Sequence, residues 1–123
     1  MDTDIAAIYF YKGVVVVEAH EGVTLSFTTG FTILLHGLRI TGFSPFIYIA
    51  NRVNSYSVSP TDYKYLNKIN PLKGIAIVSD SESARNNAEL EKNFCTKPLE
   101  IFENMEDAHE WAIGLLDEQN YFI

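Results

Sequence analysis

The sequence is short of the residues on which several classes of binding site depend. Its single cysteine, Cys95, excludes an intrachain disulfide and a zinc site built from thiolates. Nine Lys and Arg stand against sixteen Asp and Glu, for a net charge of −7. Because contact with a phosphate backbone requires clustered basic residues, a nucleic-acid partner is not expected. No apolar run approaches the ~20 residues of a membrane span, and the acidic N-terminus lacks a signal peptide's basic region, so we expect a cytoplasmic protein.

Motifs that carry catalysis are also missing. The sequence contains no G-x-S-x-G, no P-loop and no G-x-G-x-x-G. His20, His36 and His109 do not have the spacing of a metal site. Acidic pairs such as Glu89 and Glu91 are typical of solvated helix faces. We therefore predict a protein that is not an enzyme and that binds neither a metal nor a cofactor.

What the chain does have is enough apolar sequence for one core. Hydrophobic residues make up 47% of its 123 residues, with eight Phe and seven Tyr. This composition excludes intrinsic disorder, and the length favours a single domain over residues 1–123.

Apolar runs bounded by turn residues predict five strands. Gly13 supplies the turn of an antiparallel hairpin between the first two. The four valines at 14–17 are typical of a strand that is covered on both faces. The predicted strands cover residues 5–11, 14–19, 45–50, 72–78 and 98–102.

Apolar stripes at helical spacing predict four helices between and after these strands. The third begins at a capping box over 79–82 and continues to Phe94, which we place on a core stripe. The order β-β-α-β-α-β-α-β-α implies an α/β fold with a mostly parallel five-stranded sheet and an antiparallel N-terminal strand. The four helices cover residues 24–40, 60–69, 82–94 and from 104 onward.

The densest polar stretch of the sequence, residues 51–60, follows the third strand and is called the polar loop below. In parallel sheets, ligands and partners bind at such strand-to-helix junctions. Arg85, at the next junction, is expected on the same edge, where it and Arg52 could flank a pocket for an anion or a partner's carboxylate. The candidate binding residues are Asn51, Arg52, Asn54, Ser55, Tyr56, Ser57, Ser59 and Arg85.

A purely structural interpretation of the same residues stays open. Ser59 would then cap a helix, and Asn51 and Asn54 would satisfy the backbone of a turn. Arg52 would be a solvated charge. Arg85 would pair with a glutamate on its own helix, Glu82 or Glu89.

Three segments of the chain resemble the STAS family, which includes the bacterial anti-sigma-factor antagonists. They are residues 73–79 (KGIAIVS), residues 100–108 followed by Trp111, and the polar loop, which has the place of the family's regulatory loop. The similarity is greatest to a branch of small antagonist-like proteins of uncharacterised function. It implies a STAS-like fold and a role in regulation by protein contact.

The resemblance also implies candidate phosphorylation sites. In the antagonists, a partner kinase phosphorylates a Ser or Thr in an Asp-Ser-small-Gly pattern at the start of a helix. Ser57 and Ser59 lie nearest that position here, although the aspartate and the glycine of the pattern are missing.

We therefore expect a non-enzymatic module that binds a protein partner through residues 51–60 and the short helix after them. The alternative is a carrier or sensor of a small apolar or anionic ligand, with the apolar strands bordering a cavity. An enzyme that uses Ser57 ranks third. A sheet edge left uncovered at the first hairpin would also favour weak homodimerisation.

Overall fold

The computed structural model describes residues 6–11, 13–19, 45–52, 63 and 67–121. These residues form one five-stranded sheet with helices packed on both faces. The strands are β1 (Ala6–Tyr11), β2 (Val14–Ala19), β3 (Phe46–Asn51), β4 (Leu72–Val78) and β5 (Leu99–Phe102).

The strands lie in the sheet in the order in which they occur along the chain. β1 pairs with β2 antiparallel through the turn at Gly13, whose φ of 86° is in the left-handed region that favours glycine. The pairs β2–β3, β3–β4 and β4–β5 are all parallel. The predicted α/β class, with parallel strands in the sheet, is confirmed. Four consecutive strands therefore end at one edge of the sheet, which we call the carboxyl edge.

Two described helices follow β4 and β5. The first, α1 (Glu82–Glu91), begins at the N-cap Ser81, whose hydroxyl accepts the Ala84 N–H at 3.2 Å, and it continues into a 3-10 turn, Lys92–Phe94. The second, α2 (Met105–Tyr121), begins where the Asn104 side chain accepts the Asp107 N–H at 2.8 Å. The start of α2 agrees with the predicted start at residue 104. α1 begins at residue 82, but its N-cap is Ser81 and not Ser79, with which the predicted capping box begins.

Alternating side chains of β2, β3, β4 and β5 contribute to two apolar layers. Val15 and Val17 belong to the layer that contains Ala88 of α1, whereas Val14 and Val16 belong to the layer under α2. The sheet is thus covered on both faces, as the run of four valines predicts. The α2 layer contains six apolar side chains of α2 at helical spacing: Met105, Ala108, Trp111, Ala112, Leu115 and Leu116.

Two predicted helices lie wholly or mostly outside the described residues. Nothing described falls within 24–40. Within 60–69, Tyr63 is helical and its carbonyl accepts the Asn67 N–H at 2.9 Å, the spacing of an α-helical bond. The Tyr63 side chain is buried.

The core stripe of α1 differs from the prediction at Phe94. The buried side of the helix contains Ala88 and Glu91, and the partly buried Cys95 continues it. This spacing turns Phe94 to the same side as Leu90, and the two side chains are 48% and 62% exposed. The expectation that Phe94 is a core residue is therefore wrong.

Candidate functional site

The carboxyl edge is where the sequence places the candidate site, and the structure describes part of it. Asn51 ends β3, and the N–H of Arg52 continues the ladder by donating to the Val78 carbonyl at 2.8 Å. Arg85 is in α1. The other candidates lie outside the described residues: Asn54, Ser55, Tyr56, Ser57 and Ser59.

Arg52 forms a two-pronged ion pair with Glu91 in the last turn of α1. Its Nη1 donates to Oε2 at 2.6 Å, and its Nη2 donates to Oε1 at 2.7 Å. Each of the two side chains is only 9% exposed. A parallel pair of N–H···O bonds is the strongest geometry open to a guanidinium and a carboxylate. Neither side chain is solvated, so the expectation of a solvated Glu91 and the interpretation of Arg52 as a solvated charge are both wrong.

Tyr63, which follows residues 53–62 in the chain, binds the same carboxylate of Glu91. Its hydroxyl donates to Oε1 of Glu91 at 2.6 Å, and the residue is 2% exposed. Burial, followed by the nearby negative charge of Glu91, raises the pKa of the Tyr63 hydroxyl. The hydroxyl therefore stays protonated and continues to donate to Glu91 well above neutral pH.

Glu91 thus binds both residues that flank 53–62 in the chain. It accepts two hydrogen bonds from Arg52 and one from Tyr63. A buried carboxylate is costly unless its oxygens are paired in this way. The cluster of Arg52, Tyr63 and Glu91 is the main polar feature of the described part of this edge that the sequence analysis did not foresee.

A signal for this cluster does exist in the sequence. Ala88, Glu91 and Cys95 recur at helical spacing on the buried side of α1. A carboxylate on such a stripe requires a cationic partner. Arg52 directly follows β3 and, two residues after Ala50, continues the alternation on the side of the same layer.

Arg85 lies near the other end of α1 and has different partners. Its Nη1 donates to the Ser79 carbonyl at 2.8 Å, and its Nη2 lies 3.7 Å from Oε1 of the exposed Glu103. The expected pairing with Glu82 or Glu89 is replaced by these contacts, because the side chain points to the ends of β4 and β5. Positions 85 and 91 are six residues apart, about 9 Å along a helix. Among the described contacts, Arg52 binds Glu91 whereas Arg85 contacts Ser79 and Glu103.

Asn51 faces the opposite side of the sheet from Arg52. Its Nδ2 donates to Oε1 of Glu18 at 2.9 Å, which joins the ends of β3 and β2 on the α2 side. The side-chain amide therefore bonds to another side chain. The two adjacent candidates, Asn51 and Arg52, each fix the end of β3, on opposite faces.

The described residues give no indication of a metal centre. Within these ranges, no group of three or more His, Cys, Asp and Glu side chains could hold an ion. The partly buried Cys95 packs against the α1 layer, and its thiol lies 3.5 Å from the Lys97 carbonyl. Neither described helix has the length and apolar composition needed to cross a membrane.

Comparison with known proteins identifies the fold. No protein-family model matches the sequence, and no curated protein matches it significantly. Among solved structures, the chain is similar to an uncharacterized protein of the DUF3478 family from Shewanella loihica PV-4, which has a SpoIIAA-like fold. The TM-score is 0.61 at 17% identity, over 91% of this chain and 98% of that chain. The SpoIIAA-like fold is that of the STAS anti-sigma-factor antagonists, so the resemblance stated from sequence is confirmed at the level of the fold.

Proposed function

We propose that this chain is a non-enzymatic regulatory module of the cytoplasm, which binds a protein partner through residues 51–60 and the short helix after them. The SpoIIAA-like fold supports the proposal, because Asn51, the first residue of this stretch, ends β3 at the carboxyl edge of a parallel sheet. In open α/β sheets, recognition concentrates at that edge.

The observation that carries the proposal is the shared carboxylate of Glu91. Arg52 and Tyr63, which flank residues 53–62, both bind it through short hydrogen bonds. Holding both flanks on one buried group lowers the entropy that the stretch between them loses when it forms a contact. Such anchoring suits a recognition segment, since binding loops work best when a rigid scaffold positions them.

We infer that the complete chain is one domain over 1–123 with the order β-β-α-β-α-β-α-β-α. Parallel neighbours such as β2 and β3 require a crossover connection, which is most often a helix. The predicted helices over 24–40 and 60–69 would provide the two crossovers that lead into β3 and β4.

Phosphorylation of Ser57 or Ser59 would regulate the same contact. A phosphoserine adds nearly two negative charges and three acceptor oxygens. Two guanidinium nitrogens of Arg52 already donate to Glu91. Because these nitrogens are engaged by Glu91, we do not expect the phosphate to act by pairing with Arg52. We expect its added charge to act directly on the bound partner.

Partner capture from the native cytosol tests the proposal. The full chain is immobilised as wild type, Ser57→Asp and Tyr56→Ala, and the bound proteins are quantified. Asn70→Asp is the matched control, because it adds the same charge as Ser57→Asp at an exposed position before β4, on the opposite edge of the sheet.

We expect wild type and Asn70→Asp to recover one specific protein that Ser57→Asp and Tyr56→Ala lose. Equal recovery by all four forms would overturn the proposed contact surface. Arg52→Ala is not used in this test, since it uncovers a buried carboxylate and would confuse lost recognition with lost stability.

A further inference from the structure

The outward side of α2 carries carboxylates and no Lys or Arg. Five exposed residues lie within about 100° of one another around the helix axis and extend along it for about 16 Å. This surface, called the acidic face below, consists of Glu106, Glu110, Ile113, Gly114 and Asp117. Because α2 contains no Lys or Arg at any position, the face offers three carboxylates that no cation of the same helix balances.

An apolar side chain and an open space lie between two of these carboxylates. Ile113 is 42% exposed and is a neighbour of Glu110 and Asp117 at helical spacing. Beside it, a Cβ at Gly114 would meet no atom within 4 Å. The face is therefore apolar at Ile113 and charged around it, which is the arrangement of a protein interface with an apolar core and a polar rim.

The carboxylates beside Ile113 do not help the helix to form. Glu106 is in the first turn of α2, where a negative charge is favourable because the start of a helix is positive. Glu110 and Asp117 lie beyond that turn, and no ion pair of the described residues involves either of them. Glu106 and Glu110 also repel each other at an i, i+4 spacing. A bound cation would relieve this repulsion.

Other exposed carboxylates of the described residues are compensated within the fold. Nζ of Lys92 lies 3.7 Å from a carboxylate oxygen of Glu89 and 3.8 Å from one of Glu100. Nη2 of Arg85 lies 3.7 Å from Oε1 of Glu103. These cations balance carboxylates outside the acidic face, so the face keeps its negative charge for a contact with another molecule.

We propose that the acidic face is a docking surface for a basic amphipathic helix of a partner protein, with Lys or Arg on both sides of a small apolar patch. The ridge of one helix fits the groove between the ridges of another. The partner's apolar residues cover Ile113 and fill the space over Gly114, while its long cationic side chains reach Glu110 and Asp117. This inference does not depend on the proposed recognition through residues 51–60.

Charge selects this occupant against the others. The carboxylates of the face, on a chain of net charge −7, repel nucleic acids and anionic membranes. They repel a second copy of the chain in the same way, since its α2 presents the same carboxylates. Within the described ranges no group of His, Cys, Asp and Glu side chains could hold a metal ion. A cationic polypeptide complements both the charge and the apolar centre of the face.

The two parts of the face contribute to binding in ways that can be separated. Attraction between exposed opposite charges is screened, so the contribution of Glu110 and Asp117 falls as salt is added. The contribution of Ile113 comes from apolar surface removed from water and is not screened by salt. Removing the carboxylates should therefore reduce the salt dependence of binding, whereas removing the isoleucine should weaken binding at every salt concentration.

Titration of the isotope-labelled full chain with a synthetic helix, followed by NMR, tests the proposal. The probe is a peptide of about 18 residues, long enough to be helical, with lysines on both sides of a stripe of leucine and alanine. We expect the amide signals of residues 106–117 to shift most, and the binding to weaken as salt is added. A peptide with glutamate in place of every lysine should not bind.

Matched variants assign the binding to the acidic face. Glu110→Gln combined with Asp117→Asn should weaken peptide binding about tenfold or more and reduce its salt dependence. Glu89→Gln combined with Glu100→Gln removes the same charge elsewhere on the chain and should bind as the wild type does. Ile113→Ser should weaken binding while the salt dependence stays that of the wild type.

Several results would overturn the proposal. One is a wild type whose amide signals do not shift even at millimolar peptide, and another is a set of shifts centred outside residues 106–117. Equal weakening by the two double variants would show that the peptide responds only to the net charge of the chain. Equal binding of the glutamate peptide would show that charge does not select the partner.

Discussion

Arg52 and Glu91 are 39 positions apart in the chain and form a nearly buried pair with two hydrogen bonds of 2.6 and 2.7 Å. The pair joins the residue after β3 to the last turn of α1. Tyr63 adds a third hydrogen bond to the same carboxylate at 2.6 Å. The chain on both sides of the proposed recognition segment is therefore tied to one helix.

Arg52→Ala should strongly destabilise the fold. It leaves the buried carboxylate of Glu91 with only the Tyr63 hydroxyl, and breaking a buried pair from one side costs about 3–5 kcal/mol. Arg52→Lys should lie between wild type and alanine, because an ammonium group cannot make the parallel pair of bonds. Urea unfolding, followed by circular dichroism, measures the change.

Two comparisons control this result. Arg85→Ala removes a more exposed guanidinium paired with the exposed Glu103 and should cost only about 1 kcal/mol. Replacing the whole cluster (Arg52→Met, Tyr63→Phe and Glu91→Leu) should cost less than Arg52→Ala alone, since no buried charge remains. If Arg52→Ala unfolded at the same urea concentration as wild type, the ion pair would not have the proposed role.

Tyr63→Phe should cost about 1.5–3 kcal/mol near neutral pH, the range for a hydrogen bond to a charged group. The raised pKa of Tyr63 adds a pH dependence. Above pH ~10 the unfolded tyrosine loses its proton while the folded one retains it, so this contribution to stability falls as pH rises. Wild type should therefore lose about 1.4 kcal/mol of its advantage over Tyr63→Phe on going from about pH 9 to pH 11.

Urea unfolding of both proteins at several pH values in this range measures that difference. A stability difference that stayed constant or grew above pH ~10 would contradict a protonated, buried Tyr63.

Much of the fold follows from local signals in the sequence. The predicted strands at 14–19 and 72–78 have the bounds of β2 and β4, because Gly13 and the residues around 70–71 interrupt the apolar runs. The start of α1 lies within the capping signal over 79–82, although the N-cap is Ser81 and not the first serine of that signal. The parallel order follows from the alternation of strands and helices.

The candidate site could be predicted only in part. The edge follows from topology, but the partner of Arg52 is 39 positions away, and no local pattern specifies that contact. The pair of Glu89 and Glu91 predicts a solvated face, although the spacing of Glu91 from Ala88 puts it on the buried side. Phe94 is the opposite case. As an apolar residue it was expected in the core, but its side chain is exposed.

Gly74 allows α2 to pack closely on β4. A Cβ at this position would lie 2.6 Å from Cδ2 of Leu115 and 3.2 Å from both Cη2 of Trp111 and Cδ1 of Ile47. Gly74→Ala should therefore cost about 1–3 kcal/mol through overpacking. The cost should be smaller in a Leu115→Ala background, because the nearest atom is then missing.

Gly114→Ala is the control for Gly74→Ala, because it makes the same chemical change at a position where the added methyl group meets no other atom. No atom lies within 4 Å of its Cβ position, and the residue is in α2 and exposed. Alanine should stabilise the protein by roughly 0.8–1 kcal/mol through its helix propensity. Thermal unfolding of both variants gives the comparison, and equal effects of the same sign would contradict close packing at Gly74.

Cys95 should react slowly with thiol reagents in the folded protein. Burial raises the pKa of its thiol, which lowers the fraction of reactive thiolate near pH 8. Modification by an aromatic disulfide should accelerate on unfolding in urea. Equal rates in folded and unfolded protein would show that Cys95 is not packed against the α1 layer.

Titration calorimetry with the captured partner is the most direct test of recognition through residues 51–60. Wild type and Asn70→Asp should bind with equal affinity, and Ser57→Asp should bind about tenfold more weakly or not at all. The proteins compared must be equally folded by urea unfolding. Equal affinity for all three would contradict the central claim.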